Sequence, residues 1–410
     1  MKFVSLLHLL SFISSGYACG DHHDEKEWSN EELAELEAKW GHEWSFNGIG
    51  SFAHLDYVKC LTNPQEKYDI AIIGAPFDNA VSFRPGARFG PRAIRQASSR
   101  QTSLRAFNPR ANINPYQNWA KIVDCGDIPI TPFDNNIAIE QMTQAFKNLG
   151  RGRPISSLSQ GKPKLITLGG DHSLALPALR SLNEIYGKPV RVLHFDGMCI
   201  PHNLQNNEQT LKKNTTAHLD TWDPAAYPSA WGSTHFTHGS MFWMANQEGL
   251  LSNSSTGQSV HAGLRTRLSG TDWADHESDT AQNWVRFAAD EIDDIGTKGI
   301  IDGIMSVLGT EDPVYLSVDI DVLDVAFAPG TGTPEPGGWT TRELIRILRG
   351  IEGLNIVGAD IVEVSPAYQG RGEETALAAA QVVYEILSSI VKKGLENGVN
   401  KKGENGRDEL

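Results

Sequence analysis

Cysteine is scarce in this chain. The four present, Cys19, Cys60, Cys125 and Cys199, fit no zinc-site spacing and are too few for a disulfide-built scaffold. One bridge, Cys60 to Cys125, is conceivable in an oxidising compartment. Positive charge is also thin. Lys and Arg number 36 against 50 Asp and Glu, they form no block, and the formal net charge is −14. That balance repels a polyanion and argues against a nucleic-acid partner, while it attracts a small cation. After the first residues, no stretch reads as long and apolar enough to cross a bilayer. At 40% hydrophobic and 21% charged residues, the chain has material for a large core.

The N-terminus has a different composition. Lys2 precedes an apolar run from Phe3 to Ile13, and Gly16-Tyr17-Ala18 supplies small residues for cleavage. This reads as a secretory signal peptide over 1–18, with no membrane association expected of the mature form. The last four residues, Arg407-Asp408-Glu409-Leu410, resemble an ER retrieval signal. The expectation is a secreted or ER-retained protein, and Asn253-Ser254-Ser255 is a glycosylation acceptor. A charged arm or short helix is expected over 19–60, a main domain over 61–395 and a polar, unstructured tail over 396–410.

Within the main domain, apolar β-type runs at 68–74, 164–168, 190–195, 260–264, 314–318 and 356–362 alternate with helical patterns at 173–185, 341–348 and 375–391. The runs are mostly continuous, as in strands buried on both faces of a parallel sheet. Thr340 or Thr341 with Glu343 gives the second helix a polar start. The alternation predicts one open α/β sheet covered by helices on both faces, with the site beyond the carboxyl ends of the strands.

Two of these strands run into residues suited to chemistry. The run 164–168 leads into Gly169-Gly170-Asp171-His172-Ser173, where the glycines allow a sharp turn and His172 projects at the strand end. Alone, such a histidine is more often structural. The run 314–318 leads into Asp319-Ile320-Asp321 and then Asp324. Carboxylates at i and i+2 share a face, and their repulsion calls for a cation between them.

Taken together, these words resemble the ureohydrolase family of arginases and agmatinases. The matching segments are Gly-Gly-Asp-His-Ser (169–173), Ser-Val-Asp-Ile-Asp-Val-Leu-Asp (317–324) and Val-Glu-Val-Ser-Pro-Ala-Tyr (362–368). Gly74-Ala75-Pro76-Phe77-Asp78, residues 84–92, Gly126-Asp127 and His238-Gly239-Ser240-Met241-Phe242 agree as well. The likeness spans about 68–392 and leans toward the agmatinase branch. It implies a three-layer α/β/α arginase-like fold with a central, mostly parallel sheet.

The family's third metal word, Asp-Ala-His-x-Asp, is interrupted. After His194-Phe195-Asp196 come Gly197-Met198-Cys199-Ile200, in which Met198 and Ile200 offer a hard cation nothing. The remainder of the word stands further on as Ala217-His218-Leu219-Asp220. Removing 197–216, which is polar and rich in Asn, Gln and Lys, restores Asp-Ala-His-Leu-Asp. The segment reads as a translated intron. A GGT codon at Gly197 followed by the codons of Met198 and Cys199 spells a eukaryotic splice donor. An ACA codon at Thr216 followed by the alanine codon supplies the terminal AG, and splicing restores alanine in frame. The alternative is a genuine surface insertion, from which His218 and Asp220 return to the site. That insertion would place a second glycosylation acceptor, Asn214-Thr215-Thr216, beside the metals.

The resemblance implies six metal ligands, His172, Asp196, His218, Asp220, Asp319 and Asp321, holding two Mn²⁺ per subunit, with Asp196 and Asp321 as bridges. It assigns Glu363 to the guanidinium and His238 to proton transfer. His194, His235 and His261 are read as structural or supporting residues. The implied reaction is hydrolysis of a small cationic guanidino substrate, with agmatine giving putrescine and urea. Guanidinobutyrate or another guanidino acid is the nearest rival. The family pattern has an acidic residue where Gln369 stands, which leaves the substrate tail open. A homo-oligomer is implied by the resemblance alone. The reading from another class is a catalytically inactive homologue kept as a binding or structural subunit, supported by the interrupted metal word.

Overall fold

The structure is a computed structural model that describes residues 28–41, 44–197, 219–224, 236–253, 257–265, 267–268 and 271–405, with side chains described to residue 398. The expected leader, residues 198–218 with the predicted ligand His218, His235 and the last five residues lie outside the described set. The chain divides into two units, Met1–Glu43 and Trp44–Leu410. In the first, helix α1 (Asn30–Trp40) starts from a capping box in which Ser29 and Glu32 satisfy each other's backbone N–H.

The second unit is built on eight parallel strands: β1 (Ile70–Ala75), β2 (Ile122–Asp127), β3 (Lys164–Gly169), β4 (Arg191–Phe195), β5 (Ser259–Leu264), β6 (Trp284–Ala288), β7 (Pro313–Asp319) and β8 (Asn355–Val362). Their order across the sheet is β2-β1-β3-β8-β7-β4-β5-β6. The central strands are apolar throughout because alternate residues enter opposite cores. In β1, Ile70 and Ile72 join one cluster, and Ala71 and Ile73 the other. Helices α3 (Asn135–Gly150), α4 (Ala175–Tyr186) and α5 (Met241–Gln247) supply residues to the cluster on one face. The other face carries α2 (Gly90–Ala97), α7 (Glu291–Leu308), α8 (Thr341–Gly350) and α9 (Glu374–Asn405). A further short helix, α6 (Ala274–Ala281), packs beside β6. This is the expected three-layer architecture, with a wholly parallel sheet.

Three expectations change. The edge strands β2 and β6 carry no continuous apolar run, since Asp124, Asp127 and Arg286 interrupt them, so they escaped the sequence pattern. Asp124 is buried in β2 and is held by a forked pair of hydrogen bonds from Arg95. The tail expected to be unstructured from 396 continues α9 as far as Asn405. Part of α9, Glu374–Gly398, is also long and apolar enough to cross a bilayer, contrary to the expectation that no stretch beyond the leader is. Its apolar window is 78% buried within the protein, so its composition is that of a core helix.

One packing constraint and one covalent constraint position the site. Gly170, after β3, passes so close to the β1–α2 connection that a Cβ there would lie 1.8 Å from the Phe77 carbonyl oxygen. Cys60 and Cys125 form a disulfide that ties the segment before β1 to β2 across a sequence separation of 65. Closing a loop of that length contributes about 2–4 kcal/mol to stability. A Cys60→Ser/Cys125→Ser double variant should therefore show a lower urea midpoint than the parent, and a reducing agent should lower the parent's midpoint toward the variant's.

Candidate metal centre

The carboxyl ends of β3, β8, β7 and β4, adjacent in the sheet, present the predicted residues. Among the described residues, two buried donor groups converge: His172, His194, Asp196 and Asp220, and Asp196, Asp319 and Asp321. Asp196 belongs to both, which suits a bridging position. Five of the six predicted ligands are thus brought together, and His194, read from sequence as a supporting residue, stands among them.

Each group is oriented by a partner beneath it. Ser317 Oγ donates to Asp360 Oδ1 at 2.7 Å and must therefore accept from His172 Nε2, also at 2.7 Å. The neutral ring then carries its lone pair on Nδ1. That atom is buried without a hydrogen-bond partner, 2.9 Å from Asp220 Oδ2 and 3.4 Å from Asp319 Oδ2. Such outer partners fix the tautomer of a metal-binding histidine. Asp319 Oδ1 caps its own turn by accepting from Asp321 N at 2.9 Å. Asp321 accepts from Gly197 N at 3.0 Å and from Thr333 Oγ1 at 3.2 Å. Asp324, the last acid of that word, turns away to accept backbone N–H groups at Ala326, Gly337 and Gly338.

The donor set suits divalent cations: carboxylates and imidazoles, no thiolate, and orphaned imidazole nitrogens facing acids. Protonation behaviour agrees. Burial, and then the charge of Asp321, pushes Asp319 well above the usual carboxylate range. Burial, reinforced by Asp196 and opposed by His172, lifts Asp220 to about 7. Burial opposes charge on His172, yet Asp220 and Asp319 carry its pKa well above that of a free imidazole. Acids this crowded cannot all ionise unless positive charge lies among them.

Beside this cluster stand the two predicted catalytic groups. Glu363 follows β8 in a left-handed backbone conformation, φ 60°, and is fully buried. Its Oε1 accepts from His172 N at 2.9 Å and faces His238 Nδ1 at 3.1 Å, while its Oε2 has no partner. Burial would raise Glu363, but the hydrogen bond and charge of His238 outweigh it and hold the carboxyl below its usual range. Burial likewise opposes a charge on His238, and Glu363 overcomes it and raises the ring to about 9. In the neutral ring, Nε2 accepts from Ser82 N at 3.1 Å, which leaves the proton on Nδ1 toward Glu363. A second proton on Nε2 would face Ser82 Oγ at 2.8 Å.

Several contributors carry no local sequence signal: Ser82, Asp360 and Thr333 meet the site only through the fold, while Ser317 opens the word 317–324 but received no role. Asp171 was legible as part of its word but received no role. It accepts from Ala80 N at 2.9 Å and caps the turn that carries His172.

Comparison with known proteins gives the family. The sequence profile described as Arginase family matches residues 68–197 and 214–388. The chain belongs to the arginase family. It is 46% identical over 356 residues to putative agmatinase 1 of Schizosaccharomyces pombe, covering 85% of this chain and 83% of that protein. Proclavaminate amidino hydrolase from Streptomyces clavuligerus has a similar structure, with a TM-score of 0.68 at 34% identity, covering 86% of this chain and all of that one. A hypothetical agmatinase from Burkholderia thailandensis superposes with a TM-score of 0.66 at 31% identity, over 85% of this chain and 92% of that one. The arginase-family match breaks after Gly197 and resumes at residue 214, within three residues of Ala217.

Divalent-ion binding to an arginase-family cluster of this kind should release protons. Asp220 without a cation is protonated below about pH 7, so a cation must displace that proton. Metal affinity should then weaken as pH falls through about 7. Isothermal titration with Mn²⁺ in buffers of different ionisation enthalpy reads both effects, and a pH-independent affinity without proton release contradicts them.

Proposed function

We propose that this arginase-family chain is a metal-dependent amidinohydrolase that cleaves a guanidino compound to an amine and urea, with agmatine, giving putrescine, as the leading substrate. The observation that carries this reading is the orphaned Glu363 Oε2, a buried acceptor held beside the histidine and aspartate cluster. A guanidinium supplies the planar N–H donors and the charge that such an oxygen lacks. Gly332 leaves room for it: a Cβ there would stand 3.2 Å from Oε2 and 3.0 Å from the Arg84 carbonyl oxygen. Relatives named agmatinase support the choice of substrate. Gln369, in place of an acidic residue, makes ω-guanidino acids the rivals to test.

Two Mn²⁺ per subunit suit a donor set dominated by carboxylates. When bound, such ions supply an acidified water as nucleophile. Glu363 holds and orients the guanidinium through charge-assisted hydrogen bonds. His238 holds a proton at Nδ1 against Glu363, and its raised pKa suits it to protonate the departing amine as the carbon–nitrogen bond breaks.

The same reading takes 197–216 as a segment absent from the most active form. The match that breaks at Gly197 and the motif restored by its removal both support this. A secretory location is supported by the leader, the terminal Arg-Asp-Glu-Leu and the Cys60–Cys125 disulfide. Assembly into a homo-oligomer rests on the family alone.

Urea release over a panel of guanidino compounds with added Mn²⁺ tests the reading. Agmatine should give the highest kcat/KM. Glu363→Gln should lose about 10²-fold or more of it, and His238→Asn about 10²–10⁴-fold. A chain lacking 197–216 should bind Mn²⁺ more tightly and turn over faster than the full-length chain. If neither form releases urea from any compound, the inactive-homologue reading replaces this one. A mature transcript that still encodes 197–216 would refute the intron.

A further inference from the structure

One pleat below the metal-binding residues, a row of polar side chains crosses the sheet. Strand register aligns Arg286 with His261, His261 with His194, His194 with Ser317, and Ser317 with Asp360. Asp196 and Asp319 lie two residues beyond His194 and Ser317, and so on the same face. On one side the row ends in Asp360, which anchors His172 through Ser317 as described above. On the other side it meets Asp279 of α6, which none of the sequence words predicts.

Asp279 is fully buried and makes three kinds of contact. Its Oδ2 pairs with the Arg286 guanidinium. Its Oδ1 lies 3.2 Å from His261 Nε2, and His261 Nδ1 lies 2.8 Å from His194 Nδ1. Stacking of the His261 ring on Trp284, with centroids 3.8 Å apart, keeps this link in one orientation. His194 Nε2, which has no hydrogen-bond partner, then faces Asp196 Oδ2 at 3.2 Å. The same Oδ1 also accepts from Thr221 Oγ1 at 2.9 Å, the hydroxyl directly after Asp220.

Asp279 thus touches two arms. One runs through His261 to His194, whose Nε2 stands in the donor cluster beside Asp196. The other reaches Asp220, on the far side of the interruption, through Thr221. Asp220 itself sits at φ 55°, a left-handed conformation that costs a non-glycine residue about 1–3 kcal/mol and persists only where surrounding contacts over-determine it. Those contacts are Thr221 to Asp279, Gln282 Nε2 to the Thr221 carbonyl at 2.8 Å, and Phe242 N to the Asp220 carbonyl at 2.9 Å.

We propose that Asp279 is a positioning residue of the metal centre, a buried carboxylate that fixes Asp220 and His194, the donor beside Asp196, relative to each other although residues 197–216 separate them in sequence. The proposal rests on the metal-binding reading of the cluster. Asp279 touches no substrate; it acts through His261 and Thr221. Its pairing with Arg286 serves the fold, and the two arms serve the site, so the two roles can be separated by substitution.

The test is Mn²⁺ titration of the full-length chain, read by electron paramagnetic resonance of the free ion and paired with urea unfolding of each metal-free variant. Asp279→Ala should weaken Mn²⁺ binding about 10–100-fold, the range for partners that orient metal ligands. Thr221→Val and His261→Phe, which cut one arm each and keep most of the packing, should each weaken it as well. Adding Thr221→Val to Asp279→Ala should cost nothing further. Arg286→Gln, which removes the ion pair and the guanidinium's hydrogen bonds to Thr280 Oγ1 and the His276 carbonyl but neither arm, should lower the urea midpoint and leave Mn²⁺ affinity intact. The proposal is overturned if Asp279→Ala binds Mn²⁺ as tightly as the parent, or if Arg286→Gln loses as much affinity as Asp279→Ala. Should Asp279→Ala not fold, unchanged affinity in both single-arm variants overturns it. Absence of Mn²⁺ uptake both by the parent chain and by a chain lacking 197–216 instead removes the metal reading itself.

Discussion

The repulsion among Asp196, Asp220, Asp319 and Asp321 is the constraint on which the rest of the site depends. In water four carboxylates would move apart. Here β4 and β7 are hydrogen-bonded neighbours, and their carboxyl ends hold Asp196 and Asp319 at adjoining positions. Burial removes the solvent that would screen them, so the cluster must take up protons or metal cations. The raised carboxyls and the raised His172 are one consequence of that crowding. The hydrogen-bonded supports beneath the ligands are another, since a cation is held well only by groups already in place.

The support is asymmetric. On the β8 side it is short: Asp360 and Ser317 lie in the adjacent strands β8 and β7, His172 lies in the turn after β3, and each makes one hydrogen bond to the next. On the β5 side it is longer and passes through two stacked or abutting rings before it reaches Asp279 and Arg286. That side also carries the interrupted motif. Lengthening a loop costs little in closure entropy, about 0.6 kcal/mol per doubling. The harder requirement is to return the chain to the same place in an uncommon backbone conformation, and the contacts around Asp220 and Thr221 meet it.

Much of the fold was legible in the sequence. Strands buried on both faces leave continuous apolar runs, and six such runs mark the six inner strands. The edge strands β2 and β6 were not legible, because Asp127 and Arg286 reach solvent at the sheet edges and the buried Asp124 is paired with Arg95, so polar residues break both runs. The capping box at Thr340 was readable because its partners are three residues apart. The continuation of α9 past residue 396 was not, since a polar helix end and a polar coil have the same composition.

The sequence by itself pointed to residues that could bind cations, through the crowded acids Asp319 and Asp321 and through His172 after the Gly-Gly turn, although Asp321 lies in the 3-10 turn that follows β7 rather than on the strand. It also exposed the broken motif, since both halves of the word survive on either side of 197–216. Only the tertiary structure decided what holds those residues in place. Glu363 Oε2 is an unpartnered acceptor only because β8 buries it against His172 and His238. Asp279 matters only because α6 sets one carboxylate against both His261 and Thr221. The physical reason is range: chemistry and periodicity are properties of neighbours along the chain, whereas desolvation and hydrogen-bond partnership depend on groups that only folding brings together.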